Sequence, residues 1–246
     1  MIKIEGLWKS FGSTEVLRGL DLEIRDGETI VIIGRSGGGK SVLLKHLCGL
    51  LKPDKGKVLV DGVDIAPMDE QEITPIRKQF GFLFQSAALF DSMTLYDNVA
   101  FPLREERRPE AEIQKRVNEA LCIVDLTQAQ DKKPAELSGG MRKRAALARA
   151  LALDPRVVFF DEPSAGLDPV TSRHLDRLIL QIRATLGTTM VIVSHELASI
   201  YELADRVIML DRDARAIIAE GRPRELAAGS PDPRVREFLT RDGEKA

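Results

Sequence analysis

The segment "TIVIIGRSGGGKSVLLKHLCGLL" (29–51) decides the reading of the fold. "TIVIIG" is a continuous apolar run ending in glycine, the pattern of a strand buried on both faces of a parallel sheet. "KSVLLKHLCGLL" follows with helical periodicity, and Pro53 lies just beyond its end. Between strand and helix, "GRSGGGKS" (34–41) has the spacing of a phosphate-binding loop, with Gly34, Gly39, Lys40 and Ser41 in place. Glycines let backbone N–H groups turn inward around β- and γ-phosphates, and the helix N-terminus adds partial positive charge. Gly34, Arg35, Ser36, Gly37, Gly38, Gly39, Lys40, Ser41 and Val42 are therefore the candidate phosphate-binding residues. Lys40 would neutralise phosphate oxygens, and the Ser41 hydroxyl would ligate Mg²⁺.

Outward from this segment, strand and helix patterns alternate. "MIKIEGL" and "LRGLDLEI" predict antiparallel strands within residues 1–26, and "GKVLVDG" a strand closed by an Asp-Gly turn. After "FGFLFQ" (80–85), residues 94–152 read as almost wholly helical, with "TLYD" (94–97) fitting a capping box. Strand signals return in "RVVFFD" (156–161), "TTMVIVSH" (188–195) and "RVIML" (206–210), with a helix at about 169–186. Strands alternating with helices on either side of a helical insert predict a parallel α/β core carrying a helical lobe. The tail "SPDPRVREFLTRDGEKA" predicts one short amphipathic helix and a fraying polar end.

Several strands deliver polar groups at their C-terminal ends, the edge where open α/β sheets bind ligands. "RVVFFDEPSAGLD" (156–168) ends its strand in Asp161, a candidate Mg²⁺ ligand, and Glu162, a candidate general base. "VIVSHE" (191–196) delivers His195 as a γ-phosphate sensor, and Gln85 ends "FGFLFQ", where its neutral side chain could ligate Mg²⁺ or orient water. "LSGGMRKRAALARALA" (137–152) sets Ser138, Gly139 and Gly140 at a helix start, offering a hydroxyl, open N–H groups and a helix dipole to an anion. Capping would account for the serine but not for adjacent glycines, which weaken a first turn. One nucleotide does not need two cradles, so the turn is expected to serve the nucleotide of a second copy of the chain.

Composition narrows the class. Lys+Arg (36) and Asp+Glu (38) nearly cancel across 246 residues, so no global field draws the chain to nucleic acid or anionic lipid. Cys48 and Cys122 match no metal or redox spacing and are expected to be small buried hydrophobes without a disulfide, which suits a cytosolic location. No signal-peptide h-region opens the chain, and no apolar run approaches the roughly 18 residues of a membrane span. In a membrane process, another chain would do the spanning.

Together these residues resemble the ATPase subunit of ATP-binding-cassette (ABC) transporters. "GRSGGGKS" is similar to the Walker A loop, Gln85 to the Q-loop, "LSGGM" to the signature, "VVFFDEP" to Walker B, "SAGLD" with Asp168 to the D-loop, and His195 to the switch histidine. The resemblance covers about residues 1–228. It implies an α/β fold, a P-loop RecA-like core with an antiparallel β-subdomain and an inserted α-helical subdomain at about 86–154, and a short C-terminal extension at 229–246. It further implies Mg²⁺-dependent ATP hydrolysis, with Glu162, His195, Lys40 and Gln85 catalytic, and Ser41, Gln85 and Asp161 toward Mg²⁺. Phe11 resembles the aromatic that stacks on adenine, with Trp8 as competitor. Ser138, Gly139, Gly140, Met141 and Asp168 would meet the partner copy's ATP in a sandwich dimer.

Met141 departs from the commoner LSGGQ signature. With "FQSAALFDSMTLYDNVAFPLRE" (84–105) and "SPDPRVREFL" (230–239), it resembles the ATPases of Mla/Mce-type phospholipid transport systems. That resemblance implies a permease, an Mce-domain protein and a STAS-domain regulator as partners, at the cytoplasmic face of the inner membrane. Phe90, Tyr96 and Phe101 are candidates for gripping a permease helix. A lipoprotein-release or amino-acid-import ATPase is the alternative among transporters. A DNA-repair or ribosome-acting ABC ATPase is disfavoured, because no heptad run separates residues 41 and 137 and the motif set occurs once.

Overall fold

The computed structural model describes residues 1–240; the polar end of the tail, 241–246, lies outside the described residues. In chain order the elements are β1 Ile2–Phe11, β2 Thr14–Ile24, β3 Thr29–Ile33, α1 Lys40–Leu47, β4 Lys55–Val60, β5 Val63–Asp64, α2 Glu70–Arg77, β6 Phe80–Leu83, α3 Leu95–Glu105 and α4 Glu110–Ile123. They continue with α5 Gly139–Leu151, β7 Val157–Asp161, α6 Pro169–Leu186, β8 Thr189–Val193, α7 Leu197–Leu203, β9 Arg206–Asp211, β10 Ala216–Gly221, α8 Pro223–Gly229 and α9 Pro233–Thr240. The described residues group into two compact units, 1–77 with 189–240, and 78–188.

The first unit holds an antiparallel sheet in the order β2-β1-β4-β5, with Ile2 opposite both Ile24 and Val60. Its inward residues, among them Ile2, Ile4, Leu7, Leu17 and Val58, are buried. The unit also holds the run β10-β9-β3-β8, in which β3 pairs in parallel with β8 and β9 while β10 closes the edge antiparallel. β3 and β8 are buried at every position, as continuous apolar runs in parallel sheets require. Each fully buried Ile or Val there contributes about 2 kcal/mol. α1 packs on β8 and buries Leu43, Leu44, His46 and Leu47. α9 is tied down by Arg234, 2.9 Å from Asp211 of β9, and by the Tyr201 hydroxyl, which donates to the Leu239 carbonyl at 3.0 Å.

In the second unit β6 and β7 pair in parallel, Leu83 opposite Phe160. α5 packs against β6, α3 and α4, and its buried Ala145, Ala146 and Ala148 let it sit close. A Cβ on Gly81 would lie 2.6 Å from the Ala150 carbonyl oxygen, so β6 needs glycine where the helix crosses it. Thr94 caps α3 as expected, its Oγ1 accepting from Asp97 N at 3.1 Å, but the Asp97 carboxylate accepts from the Thr94 hydroxyl at 2.7 Å, so the reciprocal half of the expected capping box is replaced.

The cysteines divide. Cys48 is buried, and that burial pushes its thiol up to about 11. Cys122 is exposed, which corrects the expectation of a buried residue. The apolar stripe of α4 is Ile113, Val117, Ala120 and Leu121, and position 122 turns away from it. Among the described residues no helix is long and apolar enough to cross a membrane.

Candidate functional site

The loop after β3 requires its glycines at defined points. Gly34 has φ 143°, and a Cβ there would lie 2.3 Å from the Leu210 carbonyl oxygen. Gly39 is the N-cap of α1 at φ 89°, with Leu17 and Val16 of β2 against it. No side chain caps α1 and no acidic residue occupies its first turn, so its N-terminal amides and dipole favour an anion. The Lys40 ammonium lies on the loop, donating to the Gly34 carbonyl at 2.8 Å and the Arg35 carbonyl at 3.2 Å. Ser41 and Val42 follow in the first helical turn.

His195 belongs to the same unit and the same sheet edge. β8 runs parallel to β3 with Val193 opposite Ile32, so His195 and Gly34 leave adjacent strands in the same direction. Its imidazole is exposed, with Nε2 3.6 Å from a Glu196 carboxylate oxygen. Phe11 ends β1 and is 49% exposed, with the Lys9 ammonium 5.5 Å from its ring centroid. Trp8 is flanked by Gly19 on one side and by the Lys55 ammonium 5.6 Å from its ring. Phe11 thus offers the freer ring face for stacking.

In the second unit, Gln85 and Glu162 follow the ends of neighbouring parallel strands, just beyond Leu83 and Asp161. Glu162 has φ 52°, an uncommon conformation for a residue with a side chain. The two are joined through Lys143 of α5, whose ammonium donates to the Gln85 carbonyl at 2.6 Å and the Glu162 carbonyl at 3.3 Å. Burial lowers the Lys143 pKa, and the Asp161 and Glu162 carboxylates act in the opposite sense.

Ser138 caps α5, its Oγ accepting from Met141 N at 3.2 Å. Asp168 caps α6, accepting from Val170 N and Thr171 N at 3.0 Å each and from the Thr171 hydroxyl at 2.5 Å. These bonds, the Thr171 hydroxyl foremost, hold its carboxyl below the usual carboxylate range. The Ser138 turn and Asp168 meet through Gly140, where a Cβ would lie 2.4 Å from Thr171 Cγ2. Gly139 is different: a Cβ there would meet only Leu167, at an ordinary 3.8 Å.

The cations of α5 all find main-chain oxygens. Arg142 donates to Leu137 (2.9 Å), Arg144 to Val124 (2.8 Å), and Arg149 to Ala88 (2.7 Å) and Ala87 (3.1 Å). No role was assigned to Lys143 and Arg149 from the sequence. The available signal was their setting in "KRAALAR", where buried alanines leave little room for a purely solvated face.

The ABC transporter family profile matches residues 17–165. This chain belongs to the ABC transporter family. It is an ATP-binding ABC transporter ATPase chain, with the α/β cassette fold, an antiparallel β-subdomain and a mixed, largely parallel core sheet. It is 48% identical over 239 residues to the "probable ribonucleotide transport ATP-binding protein mkl" of Mycobacterium leprae, covering 97% of this chain and 68% of that one. The chain thus spans about two thirds of the length of the mycobacterial relatives it matches. It is 42% identical over 230 residues to the Escherichia coli "intermembrane phospholipid transport system ATP-binding protein MlaF", covering 93% of this chain and 84% of that one. Among solved structures, the ATP-binding cassette MJ0796, described as a dimeric post-hydrolysis state bound to ADP and Pi, superposes with TM-score 0.82 at 32% identity over 90% of this chain and 98% of that one. The cbiO1 protein of Clostridium perfringens gives TM-score 0.85 at 32% identity over 99% and 97%.

This ABC ATPase also carries an aromatic hollow of about 370 Å³ in its second unit, lined by Phe80, Phe82, Phe84, Phe90, Phe101 and Arg149 among others. Phe90 is exposed, and its ring lies 4.8 Å from that of Phe101. Tyr96 sits beside Arg104, whose guanidinium is 6.0 Å from the ring.

Proposed function

We propose that this ABC ATPase powers phospholipid transport between membranes through a separate permease, hydrolysing ATP at two sites shared between two copies of the chain. The observation that carries the cargo is the 42% identity to MlaF over 84% of that protein, together with the LSGGM signature at 137–141. In this reading the cassette comprises residues 1–228 with its helical lobe at about 86–154, and the tail from 229 is an extension. A membrane partner would hold it at the cytoplasmic face, with an Mce-domain protein and a STAS-domain regulator as further partners. The aromatic hollow around Phe90 and Phe101 suits an apolar permease segment.

Each ATP would bind between one copy's 34–42 loop, with Phe11 on the adenine, and the other copy's Ser138, Gly139, Gly140, Met141 and Asp168. The glycines of the loop and the uncapped α1 terminus fit a triphosphate. Among the described residues no three His, Cys, Asp or Glu side chains cluster as an all-protein metal cage. By their resemblance to the family's motifs, Ser41, Gln85 and Asp161 are the residues that would hold Mg²⁺, with phosphates and water completing its shell. Mg²⁺ supplies charge neutralisation of the phosphates. Lys40 holds phosphate oxygens, Glu162 accepts a proton from the attacking water, and His195 contacts the γ-phosphate.

The deciding experiment purifies the native membrane complex and identifies its membrane subunit and bound small molecules by mass spectrometry. Stoichiometric phospholipid supports the reading. The names of the mycobacterial relatives favour a second cargo, and co-purifying ribonucleotide beyond the ATP sites would replace phospholipid with it. For the shared site, Lys40→Ala and Ser138→Arg chains are mixed. Activity above both parents supports sites formed between copies, and none above the parents removes them.

A further inference from the structure

We propose that Lys143 is a positioning residue for hydrolysis: its ammonium fixes the main chain at Gln85 and at Glu162, so that two segments of the hydrolytic site hold a common geometry. The inference rests on the reading of Glu162 and Gln85 as hydrolytic residues and adds a residue that no motif of the sequence assigns.

Three observations carry it. Lys143 is 5% exposed, in the second turn of α5, and its ammonium donates to the Gln85 and Glu162 carbonyls at 2.6 and 3.3 Å. A lysine is retained in such a place only where hydrogen bonds offset the loss of hydration. Second, both segments depart from regular backbone where α5 grips them. Glu162 sits at φ 52°, and Ala87 and Ala88 at φ 64° and 48°. Such conformations persist where the surroundings over-determine them. The Ala87 and Ala88 carbonyls are held by Arg149, six residues further along the same helix, so α5 fixes this loop at two points.

Third, β6 and β7 end side by side and the chain leaves both strands as loops, so the sheet ladder no longer sets the spacing of Gln85 and Glu162. The Lys143 ammonium takes over that task with one carbonyl on each loop. Ser138 caps α5, so whatever the signature turn meets is connected through one short helix to both loops.

The test compares Lys143→Met, Lys143→Gln and Glu162→Gln with wild type in the full chain assembled with its membrane partners. Lys143→Met is expected to lower kcat about tenfold or more, with KM for ATP and the affinity for a fluorescent ATP analogue within about twofold. Amide hydrogen exchange of segments 85–88 and 162–165 is expected to quicken in Lys143→Met. Lys143→Gln, which keeps a donor, is expected to recover part of kcat and of the protection. If Lys143→Met does not fold, Lys143→Gln carries both measurements, with smaller changes of the same sign. A kcat within about twofold of wild type, a loss shared equally by KM, or unchanged exchange in both segments overturns the proposal. Glu162→Gln separates this from the underlying reading. If Glu162→Gln keeps its turnover, Glu162 is not the base, and Lys143 stands or falls on the exchange measurement alone.

Discussion

Gly140 of the signature turn meets Thr171 of α6 so closely that an added Cβ would lie 2.4 Å from the Thr171 methyl group. Thr171 cannot easily turn aside, because it is β-branched and its hydroxyl donates to Asp168. At Gly139, one residue earlier, an added Cβ would make only an ordinary 3.8 Å contact with Leu167. The two glycines therefore have different reasons to exist. Gly140→Ala is expected to destabilise by about 1–3 kcal/mol through overpacking. Gly140→Ala with Thr171→Ser, which removes the methyl and keeps the hydroxyl, should recover most of that. Gly139→Ala should leave the urea midpoint unchanged or slightly higher while lowering ATP turnover. A Gly139→Ala chain with wild-type turnover would argue against anion binding at that amide.

How far the sequence carried the reading depended on whether a pattern was local. The β3–loop–α1 stretch, the buried β7 and β8 and the helix at 169–186 are local patterns, and each is found with its expected type and close to its expected bounds. The crowding of Trp8 by Gly19 and Lys55 was not legible, because those contacts are made across the β1–β2 and β1–β4 pairings. Cys122 was misread because one step along a helix changes face while the neighbouring residues stay apolar. For Lys143 and Arg149 the surrounding alanines signal burial, but their partners are carbonyls, which every residue carries. No residue type marks such an acceptor, so only the fold can reveal it.

Lys40 is held by two carbonyls of its own loop, Gly34 and Arg35. Both acceptors belong to an irregular loop and not to a helix or sheet ladder, so losing these bonds should cost little stability. Lys40→Met is expected to shift the melting temperature by no more than about 2 °C. Its affinity for ATP should fall about tenfold or more, since the phosphates lose a charged donor. Equilibrium binding of a fluorescent ATP analogue, with a thermal melt of the same sample, checks both. Unchanged affinity would remove Lys40 from the nucleotide site.

Arg206 forms a well-enclosed ion cluster in the first unit. Its guanidinium grips both Glu28 oxygens at 3.2 and 2.5 Å, donates to the Glu23 carbonyl at 2.6 Å and also pairs with Glu220. The Arg206 and Glu28 side chains are only 12% and 11% exposed. Arg206→Ala strands the Glu28 carboxylate and should cost about 3 kcal/mol. Arg206→Lys should restore less than half of this, because an ammonium cannot reproduce the planar fork. Urea unfolding of the three chains checks the order, and an Arg206→Lys chain as stable as wild type would show that charge alone suffices.

His46 makes stability depend on pH in a window of its own. It is fully buried in α1, with Nδ1 2.7 Å from the Val42 carbonyl, which can only accept, so Nδ1 is the donor. Burial lowers its pKa in the folded protein, more than the Val42 carbonyl raises it. The unfolded chain therefore takes up a proton near pH 6.5, where the folded protein still excludes it. Below that pH protonation favours the unfolded state. The His46 contribution is whole above about pH 6.5 and is lost as pH falls from there through the folded pKa. His46→Gln keeps a donor for Val42 but cannot titrate. Its urea midpoint should fall less between pH 7 and pH 5 than that of wild type. Parallel pH profiles would show that His46 is protonated in the fold as readily as in the open chain.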